Sequence, residues 1–569
     1  MMENSETKSP DITLEEIQNF KGRYPKQLWY LALVEMWERF TFYGMRALLV
    51  LYISHLALSA NYTPMNQTDL DMKLAQFEAI YNQKLTEDHP RYYLETSHKK
   101  HASEIEANSN KQYGLILAFI YAMAFVGGMF ADKLLGSRKS VFWGGTLMAI
   151  GTFMIAVPSS FAFYLGISVL IVGNGFFKPN ISTMVGALYK KDDQRRDAGF
   201  SLFYMSVNVG GLLSGLIIGY IGTAISWSLG FALSGVFMLL GLFVFRYTQR
   251  KLGPIGLAPD PEKLKQKKFG ISKNILLHVA SLLFIPFFWV LIYFPFDIDM
   301  TWLLGKTMNS EGILIPNMVE FKHIFMISIA ISTIIYLVVI LFKVTKEEFR
   351  KMIVAIILML FSVLFFSFFE QGGGSLNYFA NGNIDGHGLN MTQVNNSINP
   401  LWVIIFAPIM GALWIGLSKR RKEPNTVIKF SMGFIFLGLG FLIFYLSRSL
   451  ATPEGFAPLW SFLFAYLVIS VGELCLSPIG LSMVTQLTPK RLHGVMMGTW
   501  FLATAYGQYG AGLIGSILAK VDNSIENPTN FDKLIQYTDG YYGIALVAIA
   551  AGVILLLLSP VLVKVMKTK

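Results

Sequence analysis

Seven charged side chains fall inside stretches apolar enough to cross a membrane: Glu35, Glu38, Arg39, Arg46, Lys178, Glu370 and Glu473. A charge in hydrocarbon is costly unless it faces a partner or a water-filled space, so each is a candidate for handling ions or a charged solute. Four carboxylates against three cations leave one carboxylate in surplus, and a proton on it would balance the set. An arginine neighbour favours the carboxylate, whereas low dielectric and like charge favour the acid, so making or breaking an ion pair loads or discharges a proton. On the first span Glu35, Arg39, Phe42 and Arg46 are spaced by four, three and four residues, which puts them on one helical stripe with Glu38 and Tyr43 at its margin. Lipid cannot face that stripe, so it must look inward.

The elements that must position these charges are long apolar helices. The chain of 569 residues is 53% hydrophobic and 15% charged, and runs of about 20 apolar residues recur from end to end. The expected fold class is an all-α polytopic membrane protein. Helices are expected over 28–54, 112–130, 140–157, 161–186, 198–220, 227–246, 274–296, 322–343, 352–371, 400–418, 427–447, 459–484, 494–519 and 541–563, fourteen in all. An even number returns both termini to one side. Residues 1–26 are polar and lack the apolar core of a secretory signal, so the first helix is expected to direct insertion. With the N-terminus inside, the segments Lys133–Lys139, Lys190–Arg196, Arg246–Lys273, Lys343–Lys351, Lys419–Lys422, Lys490–Arg491 and Lys564–Lys569 are all cytoplasmic and all basic, while the turns Pro158–Phe161 and Gly222–Ser226 carry no charge.

The domain organisation expected is a cytoplasmic tail (1–27), a six-helix bundle (28–247) with an outward insertion (55–111), a linker carrying two accessory helices (248–349), and a second six-helix bundle (350–569). Within the insertion, the pattern around Met72–Tyr81 is compatible with a helix. With the accessory pair set aside, the seven charges fall on core helices one, four, seven and ten. In a six-plus-six transporter built from three-helix repeats, those are the first helix of each repeat. Structural ion pairs scattered at random would not choose only cavity-lining positions, so a solute pathway is favoured over simple stapling of helices. Gly211, Gly215 and Gly219 form a close-packing ridge on the fifth helix.

Other chemistries find little support. The net charge of +11 follows from basic cytoplasmic loops and needs no nucleic acid. The single Cys475 excludes an intramolecular disulfide and a cysteine-rich metal site. The eight histidines include no HExxH pair, so neither metal nor cofactor is expected. Gly305-Lys306-Thr307 lacks the upstream glycine of a phosphate-binding loop. Asn61-Tyr-Thr and Asn66-Gln-Thr fit glycosylation acceptors, which amide-rich loops also produce by accident. An intramembrane enzyme needs a clustered nucleophile and base or a metal triad, and none is visible.

Gly128-Met-Phe-Ala-Asp132-Lys-Leu-Leu-Gly136-Ser-Arg138-Lys139 resembles the loop signature of the major facilitator superfamily, whose acid and basic groups pair between helix ends in one conformation and separate in the other. Glu35-Met-Trp-Glu38-Arg39-Phe40-Thr-Phe42-Tyr43-Gly44-Met-Arg46 resembles the ExxER signature of the proton-dependent oligopeptide transporter family. Phe176-Phe177-Lys178-Pro179-Asn180-Ile-Ser182, Phe203-Tyr204-Met-Ser-Val-Asn208-Val-Gly210, Gly472-Glu473-Leu-Cys-Leu-Ser477-Pro478, Trp500-Phe-Leu-Ala-Thr, Glu370-Gln371 and Asn399-Pro400 agree with the same family. The resemblance covers nearly the whole chain outside 55–111. The extra helix pair and the short link Arg448–Pro458 look like its bacterial branch.

That resemblance implies a major facilitator fold of two six-helix bundles plus two accessory helices, in a cell (inner) membrane with cytoplasmic termini. It implies import of di- and tripeptides with protons by alternating access. The matching cavity-wall residues are Arg39, Tyr43, Arg46, Tyr121, Lys178, Asn208, Glu370, Asn399, Glu473, Ser477 and Trp500. A zwitterionic peptide needs a cation at its carboxylate and an acid at its ammonium, supplied by Arg39 and Lys178 on one wall and Glu473 on the other. Glu35, Glu38 and Glu370 are the expected proton carriers, with Arg39 and Arg46 as switching partners. Asp132, Arg138, Arg46, Glu370, Lys178 and Glu473 are the expected gating groups. The partners implied are small peptides, protons and the lipid bilayer. One position departs from the pattern: members commonly carry two tyrosines before the signature glycine, and this chain has Phe42 then Tyr43, one hydroxyl fewer. A carrier of a different small solute, peptide-like or anionic, is the alternative.

Overall fold

The computed structural model describes residues 12–60, 67–82, 84–86, 92, 96, 100–190, 193, 195–268, 270–308, 314–520 and 529–567. Asn61, Asn66 and much of the outward insertion lie outside the described residues. The molecule is built from long helices: α1 (Lys26–Ala60), α2 (Lys100–Phe130), α3 (Ser137–Ile155), α4 (Ser160–Ala187), α5 (Arg195–Tyr220) and α6 (Trp227–Thr248) come first. The accessory helices α7 (Lys273–Leu282), α8 (Phe284–Tyr293) and α9 (Phe321–Leu341) follow. Then come α10 (Lys346–Phe369), α11 (Ser375–Asn383), α12 (Met391–Lys419), α13 (Thr426–Ser447), α14 (Leu459–Leu487), α15 (His493–Ala519) and α16 (Asn530–Lys567). Among the described residues twelve helical spans are long and apolar enough to cross a membrane. They include every segment above except α3 and α15, which are nonetheless long helices packed between the spans.

The elements differ from the sequence reading chiefly at their ends, for local reasons. Helix one runs to Ala60, and helix two begins at Lys100 rather than 112, so polar residues of the outward insertion extend both helices beyond their apolar stretches. Within the insertion Gln67–Tyr81 is helical, as the pattern at Met72–Tyr81 suggests. The eighth core helix starts at Met391, nine residues before its apolar run, because the Asn390 side chain accepts from the Gln393 amide and caps it. The first accessory span is two helices that meet at Leu283, just ahead of Pro286. The seventh core helix stops at Phe369, turns once through Glu370–Gly373, and resumes as α11. Three consecutive glycines, Gly372 to Gly374, make that interruption cheap.

Packing sorts the helices into two sets joined along two seams. In the first, α1 packs on α5 and α6, α3 on α4 and α6, and α2 on α4. In the second, α13 packs on α14 and α16, α10 on α15 and α16, and α12 on α14. The seams are α2 against α15 and α5 against α12. Both rely on absent side chains: a Cβ at Gly114 would lie 2.5 Å from Gly512 Cα, and one at Gly215 would lie 2.5 Å from Ser397 Oγ and 2.7 Å from the Asn396 carbonyl carbon. The ridge of Gly211, Gly215 and Gly219 thus faces Pro400, Ser397 and Gln393 of α12. The accessory helices lie outside both sets. Phe161 and Trp289 meet with ring centroids 5.2 Å apart, Trp143 donates to Ser281 Oγ at 2.9 Å, and Tyr506 donates to the Met326 carbonyl at 2.8 Å.

Polar contacts between the two sets concentrate at the end of the bundle opposite the termini. Asn377 donates to the Ala47 carbonyl at 3.1 Å, Tyr378 to the Val50 carbonyl at 3.0 Å, Ser103 to the Ala519 carbonyl at 2.7 Å, and Asn390 to Thr223 Oγ1 at 2.8 Å. Buried Glu106 is 3.0 Å from Lys533 Nζ and accepts from Tyr537 at 3.2 Å. This end is therefore sealed.

The seam geometry yields a stability test. Gly215→Val should overpack α5 against α12 at a cost of about 1–3 kcal/mol, whereas Gly411→Val, where a Cβ meets nothing within 4 Å, should be near neutral. Thermal unfolding of both purified variants in detergent checks this; equal melting temperatures would refute the tight seam.

Candidate functional site

The inward stripe of α1 carries the first cluster. Arg39 Nε donates to Glu35 Oε1 at 2.7 Å and lies 2.7 Å from Glu38 Oε2. All three residues are buried, Glu38 completely. Asn174 on α4 donates to Glu38 Oε1 at 3.1 Å. Arg39 Nη2, Glu35 Oε2 and Glu38 Oε2 are buried without a hydrogen-bond partner among the described residues. Two carboxylates share one guanidinium, so the surplus negative charge counted in the sequence is local to this triad.

Two turns along the helix, Arg46 forms an ion pair with Glu370 through Nη2, and its Nε donates to Tyr113 Oη at 2.8 Å. The helix break makes this pair possible. A Cβ at Gly373 would fall 1.8 Å from Tyr113 Oη and 2.9 Å from Arg46 Nε, so only a glycine lets the backbone after Glu370 approach the arginine. Asn395 donates to the Gly372 carbonyl at 2.8 Å and satisfies one of the backbone groups freed by the break. This pair ties α1 to the turn between α10 and α11.

The remaining two charges make no ion-pair contact, and Lys178 feels Glu38, Glu35 and Glu370 only beyond contact distance. Lys178, half-buried on α4, holds its ammonium 3.7 Å from the centroid of the Tyr121 ring and 6.0 Å from that of Phe42. Glu473, half-buried on α14, accepts from Asn399 at 3.0 Å and from Tyr204 Oη at 3.3 Å. Among the described residues neither takes part in an ion pair. Pro179 inside α4 and Pro400 inside α12 stand next to Lys178 and Asn399 and remove a helix hydrogen bond beside each.

The structure brings most of the candidates into this region. Tyr43 lies under the Arg46 guanidinium, 6.0 Å from its ring centroid, and borders Gly211. Asn208 is buried on α5 and donates to the Tyr204 carbonyl at 3.0 Å. Ser477 is half-buried one turn past Glu473, and Trp500 fills the space that Gly480 leaves on α14. Phe42 places its ring centroid 5.5 Å from the Arg39 guanidinium and offers it a cation–π face. Asp132 and Arg138 lie elsewhere: Asp132 is exposed, while Arg138 donates to the Gly253 and Ile255 carbonyls at 2.6 and 2.8 Å and ties the turn after α2 to the linker. Gly136, at φ +80°, makes the turn that sends Arg138 there.

Three partners escape the sequence reading as site residues: Asn174, Tyr113 and Tyr204. An asparagine within the apolar run of α4, four residues before Lys178, is itself a signal, since a polar group there demands a partner. Nothing in the spacing marks Tyr113 or Tyr204 as a partner of Arg46 or Glu473.

The chain has counterparts among known proteins. Residues 138–531 match the sequence pattern of the POT family, PTR2. The chain is 34% identical to the uncharacterized transporter YclF of Bacillus subtilis, over 96% of this chain and 95% of that one. It is 31% identical to the peptide transporter YePEPT of Yersinia enterocolitica, over 95% and 94% of the two chains. A crystal structure of the peptide transporter POT in complex with sulfate superposes with a TM-score of 0.71 at 29% identity, covering 98% of this chain and all of that one. Sequence pattern, full-length relatives and helix arrangement coincide, and the chain belongs to the POT family of membrane transporters.

Proposed function

We propose that this protein is a proton-coupled symporter that imports di- and tripeptides by alternating access and releases them unchanged. One observation carries the reading. Five of the seven internal charges are paired with one another, and the two without a counter-ion, Lys178 and Glu473, are opposite in sign and stand on α4 and α14, in different helix sets. A zwitterion completes both: its carboxylate meets Lys178 and its ammonium meets Glu473. Tyr121 and Asn399 hold these groups without neutralising them. Arg39, engaged by Glu35 and Glu38 here, joins Lys178 at the carboxylate once a proton loosens that hold. Tyr43, Asn208, Ser477 and Trp500 line the space for backbone and side chains.

Proton coupling follows from the local surplus. The Glu35–Arg39–Glu38 triad carries a net negative charge when all three groups are ionised, whereas Arg46–Glu370 is balanced. Glu38 and Glu35 are therefore the first choice for the proton, and the Arg46–Glu370 pair is the latch that opens when the sealed end does. Lys178 with Glu473 and Asp132 with Arg138 are proposed as further gating groups. The seal opposite the termini supports a cytoplasm-facing conformation, with both termini in the cytoplasm and the protein in the cell (inner) membrane. We take α3 and α15 to cross the bilayer with the other twelve spans, giving bundles at 28–247 and 350–569 around the 248–349 linker.

Substrate ends provide the first test. In proteoliposomes N-acetylated or C-amidated dialanine should compete with labelled dialanine at least tenfold more weakly than dialanine itself, because each change strands a buried charged partner at a cost of roughly 1.5–3 kcal/mol. Equal competition by all three would favour a carrier of a different solute.

Lys178→Ala and Glu473→Ala should each abolish uptake, and Lys190→Ala, whose side chain is exposed, should not. Glu38→Gln should lose uphill accumulation driven by an inward proton gradient yet keep peptide exchange at equal pH, while Glu473→Gln should impair both. Driven accumulation by folded Glu38→Gln protein would move the proton site to Glu35 or Glu370.

A further inference from the structure

Asn174 has no part in the proposed peptide contacts, yet it is the neutral side chain that touches Glu38. It sits on α4, one turn before Lys178, with no exposed surface. Its Nδ2 donates to Glu38 Oε1 at 3.1 Å, and its Oδ1 is buried without a hydrogen-bond partner. Glu38 Oε2, on the same carboxylate, also lacks a hydrogen bond and lies 2.7 Å from Arg39 Nε. A buried amide with one half satisfied and the other idle is an expensive arrangement for a purely structural asparagine.

The chemistry of the amide explains the idle half. A carboxylate only accepts hydrogen bonds, whereas a carboxylic acid also donates one. An asparagine offers both roles from one position: its NH2 serves the carboxylate, and a half-turn of the amide presents Oδ1 to the acid proton. Arginine, lysine and a backbone N–H offer donors alone and would favour the charged form. We propose that Asn174 is a positioning residue for proton coupling, holding Glu38 in one place through both protonation states and setting the pH at which it changes between them. This rests on the reading of Glu38 as proton carrier.

Other groups around Glu38 belong in the account. Arg39 and Glu35 on α1 and Lys178 on α4 act on it electrostatically, and Tyr43 on α1 and Tyr121 on α2 face the Arg39 side of the cluster. All are left unchanged when Asn174 alone is altered.

The experiment is the pH dependence of proton-driven dialanine uptake in proteoliposomes, measured for the wild type, Asn174→Leu, Asn174→Asp and Glu38→Gln. Leucine removes the donor from the carboxylate, so Glu38 holds its proton more tightly and the half-maximal pH should rise by about one unit, tenfold in proton affinity. Aspartate keeps the size of the side chain, cannot donate when ionised, and adds like charge, so it should shift the profile in the same direction and further. Should the leucine variant not fold, the near-isosteric aspartate variant decides. An unmoved profile in the folded variants, alongside loss of driven uptake in Glu38→Gln, overturns the role of Asn174 alone. Full driven uptake by Glu38→Gln overturns the Glu38 reading and this proposal with it.

Discussion

Everything in the interior follows from the cost of holding ionised groups in a medium with little water. Seven charges are carried into the helices, and the fold gives each an ion-pair partner, an aromatic face or a neutral donor. Arg39 lies between two carboxylates, Arg46 reaches Glu370 across the seam between the helix sets, and Lys178 and Glu473 rest on an aromatic face and on neutral donors. The Arg46–Glu370 pair is balanced in itself, and the Arg39 triad keeps one surplus negative charge. Lys178 and Glu473 are opposite in sign and stand on α4 and α14, and in the proposed function a molecule with a carboxylate at one end and an ammonium at the other pairs with both. Such a zwitterion leaves the net charge unchanged, and the surplus negative charge of the triad is left for the proton.

The same constraint links binding to shape change. Arg46–Glu370 joins α1 to the turn after α10, at the end where Asn377, Tyr378 and Glu106 also cross between the sets. In the proposed transport cycle, opening that end separates the pair, and each ion then needs water or another partner. The glycines after Glu370 allow this position: a Cβ at Gly373 would collide with Tyr113 Oη. The seams at Gly114 with Gly512 and Gly215 with Ser397 let helix backbones meet closely.

The accessory helices occupy a different position in this economy of charge. They pack against α3, α4 and α15 through aromatic rings and single hydrogen bonds and contribute nothing to the charged interior. Their surfaces are largely exposed, as expected for helices that meet lipid on most sides.

The amino-acid sequence by itself determined the class of fold, the stripe on α1 and the identity of the seven charges, because hydropathy and helical spacing are local properties. It also placed the glycine ridge on α5 and, through the family motifs, nearly all the residues that converge in the middle of the bundle. Helix ends were less legible: Asn390 starts α12 well before its apolar run, and the sequence reading ends its helix at 371 where the structure adds α11 after the glycines. Only the tertiary structure decided who pairs with whom. Arg39 could meet either glutamate on its own helix and meets both; Arg138 could meet Asp132 and instead binds linker carbonyls; Asn174 and Tyr113 enter only because α4 and α2 cross α1 where they do. Pairing depends on distances between helices far apart in the chain, and one sequence read along its length carries no measure of those distances.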